Sequence, residues 1–99
     1  MTAMTAHLYQ TARTSDTTCT MRLSSGEVIY YWMPANGGYV RETTYNRPGT
    51  LGQQVSDDLA GSGDMMYLPA GADLTSAIRR AARTVAGRAN LQCRVDCHI

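Results

Sequence analysis

The chain has no lysine, no phenylalanine and a single tryptophan; its nine basic residues are all arginine, set against eight acids in 99 residues. Without an ε-amino group, Schiff-base and pyridoxal-phosphate chemistry is closed to it. The phosphate loop G-x-x-x-x-G-K-[ST] is excluded for the same reason. The dinucleotide fingerprint G-x-G-x-x-G is missing as well, since Gly61-Ser62-Gly63 comes nearest and lacks the third glycine. No Asn-x-Ser/Thr sequon occurs, and no apolar run approaches the ~20 residues of a spanning helix. Met1–Gln10 lacks the charged and apolar parts of a signal peptide. A formal charge of +1 removes the large positive excess behind non-specific nucleic-acid affinity. Together these absences point to a soluble cytoplasmic protein with no membrane partner.

What remains fits a single domain over 1–99. Hydrophobic residues make up 43% of the chain, and the mean hydropathy is −0.28, enough for one modest core. Met1-Thr2-Ala3-Met4-Thr5-Ala6 repeats a tripeptide, which leaves the natural start at Met1 or Met4 and predicts a frayed segment through Ala6. His7–Ala12 reads as a short strand and Arg13–Thr17 as a turn. Cys19, Met21 and Leu23 then alternate with Thr18, Thr20 and Arg22, the period of a half-buried strand. Glu27–Met33 and Tyr39–Tyr45 follow as strands, separated by Asn36-Gly37, and complete a three-stranded meander.

Beyond Asn46-Arg47-Pro48-Gly49 the period changes. Thr50 and Gln53 have capping-box spacing, Leu51, Val55 and Leu59 stack one turn apart, and Gly61 is placed as a stop. Gly52 should weaken that helix by up to about 1 kcal/mol relative to alanine. A short strand is expected over Asp64–Leu68. Asp73 then caps a second helix. Its Leu74, Ala77, Ile78, Ala81, Ala82, Val85 and Ala89 share one side, opposite Arg79, Arg80 and Arg83, with Arg88 at the flank. Leu91–Ile99 alternates once more as a final strand. The expectation is an α+β fold of order β-β-β-β-α-β-α-β, a mostly antiparallel sheet with two helices on one face.

Reactive groups do not converge in this reading. Cys93 and Cys97 on a strand lie roughly 13 Å apart, too far for one zinc ion, so Cys19, Cys93 and Cys97 read as small fillers of buried strand faces. Cys97 and His98 point to opposite faces, and His7 falls in the poorly anchored start. Asp57 and Asp58 diverge on a helix as a solvated pair does. No catalytic residue, metal site or cofactor is expected, and the protein reads as a non-enzyme. Most informative is Val28–Met33, which is apolar on both faces although a two-layer domain buries only one. The second face needs cover from the N-terminal strand and tail, or from a partner. Tyrosine and tryptophan favour interfaces, so Tyr30, Trp32, Tyr39 and Arg41 are the candidate contacts, joined by the Arg79, Arg80, Arg83 row.

The segment from Gly37-Gly38-Tyr39-Val40-Arg41-Glu42 through Thr43-Thr44-Tyr45-Asn46 to Gly49-Thr50-Leu51-Gly52-Gln53-Gln54-Val55 resembles one in short accessory proteins of bacterial integrative elements and prophages. The resemblance implies a mobile-element setting, and the lysine-free, arginine-rich composition fits a GC-rich host. Small proteins of that setting include inhibitors of host defences, anti-CRISPR proteins among them. By that analogy the expected function is a monomeric or homodimeric binder of a host protein or ribonucleoprotein complex. The alternative is a nucleic-acid-binding regulator that uses the arginine face of the second helix. A cysteine hydrolase or zinc protein ranks last.

Overall fold

The computed structural model describes residues 3–12, 16–46, 49–61 and 66–98. Four strands open the chain, β1 (Ala3–Ala12), β2 (Asp16–Leu23), β3 (Val28–Pro34) and β4 (Gly38–Asn46). They are followed by α1 (Leu51–Ala60), β5 (Met66–Leu68), α2 (Leu74–Arg88) and β6 (Gln92–His98). The strands form one six-stranded sheet in the order β5-β4-β3-β2-β1-β6. Every neighbouring pair is antiparallel except β1 and β6, which run parallel. The α+β class and the element order are those the sequence implies. No helix among the described residues is long and apolar enough to cross a membrane.

The start of the chain departs from expectation. Instead of fraying through Ala6, it enters β1 at Ala3, and Met4, Ala6 and Leu8 are completely buried. The cause lies at the far end of the sequence: β6 pairs with β1 from Ala3↔Gln92 to Tyr9↔His98 and anchors it. A parallel partner more than 80 positions away leaves no local trace, whereas a hairpin does. The strand expected from Asp64 is seen as Met66–Leu68, with Asp64 and Met65 outside the described residues.

Alternation decides which side of each strand is buried. Met4, Ala6 and Leu8, Cys19, Met21 and Leu23, Ile29, Tyr31 and Met33, and Val40 and Met66 all face the helices. Leu74, Ile78, Ala81, Ala82, Val85 and Ala86 of α2 and Val55 of α1 close that core. The alanines let α2 approach the sheet closely; Ala86 joins them, while Ala89 caps the helix in solvent. Asp73 caps its N-terminus as expected, accepting from the Ser76 N–H at 3.2 Å. That contact holds the Asp73 carboxyl below the usual carboxylate range.

The first helix is seated differently from the expected capping box. Thr50 makes no side-chain cap hydrogen bond. The cap comes from the sheet instead: Glu27, fully buried, accepts from the Gly52 N–H at 2.7 Å and from Ser25 Oγ at 2.8 Å. A carboxylate at a helix N-terminus meets both unpaired N–H groups and the positive end of the helix dipole. Gly52 has its reason here, since a Cβ there would come within 2.5 Å of Glu27 Oε2 and of Ile29 Cδ1. At the other end Gly61 stops the helix with φ 69°, as expected. A second tie runs from the core outward, with Tyr31 O–H and Ser56 Oγ 2.8 Å apart and Ser56 donating to Glu42.

Candidate functional site

Both helices lie on one face of the sheet, so the other face has no covering layer among the described residues. The sequence left open whether the N-terminal strand and the tail would cover it. They do not: β1 and β6 are strands of the same sheet and widen the open face rather than roof it. Six strands at about 4.8 Å spacing make that face roughly 24 Å wide.

Its side chains follow from the same alternation. β3 presents Val28, Tyr30 and Trp32, and β4 presents Tyr39, Arg41 and Thr43. β2 adds Thr18, Thr20 and Arg22, and β1 adds Thr5, His7 and Tyr9. β6 contributes Arg94, Asp96 and His98, and β5 contributes Tyr67. Of the six tyrosines and one tryptophan in the chain, Tyr31 alone is buried in the core. Tyr9, Tyr39 and Tyr67 are 42%, 55% and 61% exposed. Tyr45, also exposed, is the extra residue of a bulge between the Val28↔Asn46 and Ile29↔Thr44 pairs.

Two shallow depressions on this face share a composition. One, of about 220 Å³, is lined by Tyr30, Trp32, Arg41 and Thr43. The other, of about 290 Å³, is lined by Tyr9, Thr20 and Arg22. Each sets an arginine against an aromatic ring: Arg41 lies 5.2 Å from the centroid of Trp32, and Arg22 lies 5.8 Å from that of Tyr9. A guanidinium held this way keeps its fork of donors oriented while leaving them free for an oxyanion. Register places the two groups in common rows, with Tyr9 opposite Thr20, Thr20 opposite Tyr30, and Tyr30 opposite Thr43. Tyr39 meets Tyr67 edge-on at 5.3 Å farther along the face.

Beside Tyr9 stands a polar cluster that the sequence hid. His98 stacks on Tyr9 at 4.7 Å, and its Nε2 lies 3.3 Å from His7 Nδ1. Those two nitrogens share one proton between them. His7 Nδ1 is also 3.7 Å from Asp96 Oδ2, whose other oxygen accepts from Arg94 Nε at 3.2 Å. His7 is therefore a strand residue with a defined partner, not part of a loose end. Among the described residues no cysteine joins this group, because Cys97 faces the other side of β6. No cluster of three metal-ligating side chains occurs among the described residues.

The cysteines divide three ways. Cys19 is buried, and desolvation pushes its thiol up to about 11. Cys93 is half-buried with its thiol raised by the same cause. Cys97, near the end of edge strand β6, is exposed, which corrects the expectation that all three fill buried faces.

The expected contact residues do not form one surface. Tyr30, Trp32, Tyr39 and Arg41 share the open face, together with Tyr9, Arg22, His98 and Tyr67, which sequence reasoning missed. Arg79, Arg80 and Arg83 lie in the helix layer, where with Thr84 they surround a separate depression facing away from the core. Arg88 bridges the helices by pairing with Asp58 at 3.0 Å. A single nucleic-acid site combining the arginine row with the aromatic strands is thus ruled out by the layer order. No family model, curated protein or solved structure matches the chain.

Proposed function

We propose that this protein is a non-enzymatic binding module whose working surface is the uncovered face of its sheet. The observation that carries the reading is the segregation of its aromatic side chains. Six of the seven stand outside the core, and five of those six, Tyr9, Tyr30, Trp32, Tyr39 and Tyr67, share one face of the sheet with Arg22 and Arg41. An apolar and aromatic patch of this breadth marks an interaction site on a soluble domain. Tyrosine, tryptophan and arginine are also the residues that concentrate binding energy. The shallow depressions, and the absence of a cysteine beside the histidine pair among the described residues, support binding rather than catalysis. The mobile-element setting implied by residues 37–55 accords with a small binder of a host macromolecule.

A photo-reactive phenylalanine analogue placed at Tyr30, at Tyr39 or at Arg80 tests this in cells that express the protein. A discrete, identified adduct from the first two positions, weakened by Trp32→Ala, is the expected result. Adducts from Arg80 alone, or from none of the three, would overturn the reading.

A further inference from the structure

We infer that the occupant of the open face is a single-stranded nucleic acid; the inference rests on the reading above and narrows its partner. Three features of the face converge on this chemistry. The first is repetition. Each of the two depressions offers an aromatic plane, a guanidinium and a threonine hydroxyl, as Tyr30/Trp32 with Arg41 and Thr43, and as Tyr9 with Arg22 and Thr20. A nucleotide has three matching parts: a flat base, a phosphate, and the hydrogen-bonding groups of its sugar and base edge. Two like subsites on one sheet suit a polymer of like units, with strand spacing putting them roughly 10 Å apart.

The second feature is charge. The chain is close to neutral, and its arginines are divided between the layers, with Arg79, Arg80, Arg83 and Arg88 on the helix side. Arg22, Arg41 and Arg94 stand on the open face with His7 and His98. Asp96, on the same face, accepts from Arg94 and lies 3.7 Å from His7, and Asp16, in register with Pro34 at the far end of β2, falls on this face by alternation. Glu42 leans to the other layer and accepts from Ser56, while Asp57, Asp58 and Asp73 belong to the helix side. At the two depressions the charged lining residues are Arg41 and Arg22, so each offers a local guanidinium although the protein as a whole is near neutral.

The third feature is shape. A six-stranded sheet roughly 24 Å wide cannot enter a duplex groove. It can receive bases that have left the stack, in the way aromatic side chains of other sheet surfaces take two or three bases. Trp32 and Arg41 hold the centre of the site, and Tyr9 with Arg22 extends it toward β6.

The experiment is a titration of the purified protein with fluorescein-labelled oligouridylate, oligothymidylate and a duplex of the same length. Anisotropy reads binding, and quenching of the only tryptophan reports whether Trp32 is in contact. Binding of either single strand in preference to the duplex is expected, with Trp32 quenched. Trp32→Ala should weaken binding at least about tenfold, as loss of one base–aromatic stack does. Arg41→Gln should lower the slope of log K against log salt by about 0.7, the share of one phosphate contact on a single strand. Arg80→Gln should change neither. RNA and DNA are told apart by the two single-strand arms, and both outcomes support the inference. Preference for the duplex, or unquenched Trp32 with binding lost in Arg80→Gln, overturns it. Absence of binding to every probe also overturns it, yet if Tyr30 still forms an adduct with a protein in cells the broader reading stands. Circular dichroism of Trp32→Ala, with Trp32→Phe as the conservative variant, separates loss of contact from loss of fold.

Discussion

Replacing Gly52 by alanine tests how the first helix is seated. By intrinsic propensity alone the change should stabilise the helix by about 1 kcal/mol. The structure reverses the sign. The added Cβ would sit within 2.5 Å of both Glu27 Oε2 and Ile29 Cδ1, so both side-chain ends would have to move, and Glu27 is fully buried and already tied to the Gly52 N–H and Ser25 Oγ. Overpacking of this kind costs about 1–3 kcal/mol. Displacing the carboxylate also weakens a charge-assisted hydrogen bond of 2.7 Å, a contact of the class that contributes about 1.5–3 kcal/mol. Less the propensity gain, the expected loss is about 1.5–5 kcal/mol, or a fall in Tm on the order of 10 °C for a domain this small. Urea unfolding followed by far-ultraviolet circular dichroism measures it. In a Glu27→Ala background the same substitution should cost clearly less, because one of the two obstructions is gone. A Gly52→Ala protein as stable as the parent, or more so, would refute the cap and the packing argument together.

The cysteines should be modified in the order of their exposure. Iodoacetamide under native conditions should label Cys97 first and Cys93 slowly, and should spare Cys19, whose thiol is buried and raised to about 11, until the chain unfolds. Mass spectrometry of timed samples reads the order. Asp73→Ala should cost about 0.5–2 kcal/mol through loss of the α2 cap. Because the folded carboxyl titrates below its usual range, the stability it confers is present above the ordinary aspartate pKa and is lost as pH falls through the lower folded value. Asp73→Asn should keep the cap and flatten that acid dependence in a urea series. Ile78→Ala, which empties a fully buried site between α2 and the sheet, should cost about 2–5 kcal/mol; a loss below about 1 kcal/mol would contradict the packing of that layer.

Local patterns carried most of the fold and long-range pairing carried the rest. The alternation around Cys19–Leu23, the bilateral apolar strand Val28–Met33 and the helical period from Leu74 to Val85 each report a single element, and each stands where its pattern put it. The anchoring of Ala3–Ala6 by β6 was invisible because neither strand carries a mark of the other. The Glu27 cap was hidden for the same reason: Glu27 and Gly52 are 25 positions apart, and Thr50-x-x-Gln53 offered a nearer, wrong candidate. The candidate site was half legible. Tyr30 and Trp32 could be picked from a strand apolar on both faces, and Tyr39 and Arg41 from the strand that follows it in the meander. Tyr9, Arg22 and His98 could not, since their membership depends on β1 lying between β2 and β6. The arginine row was legible as a helix face, but which layer that face looks away from is a property of the assembled sheet.

Which side of the sheet does the work is read directly by hydroxyl-radical footprinting of the protein in complex with its captured macromolecule. Tyr9, Tyr30, Trp32 and Tyr39 should be protected relative to the free protein, while Leu74–Arg88 keeps its free reactivity. Protection confined to the helix layer, with those four aromatic side chains as reactive as before, would contradict it.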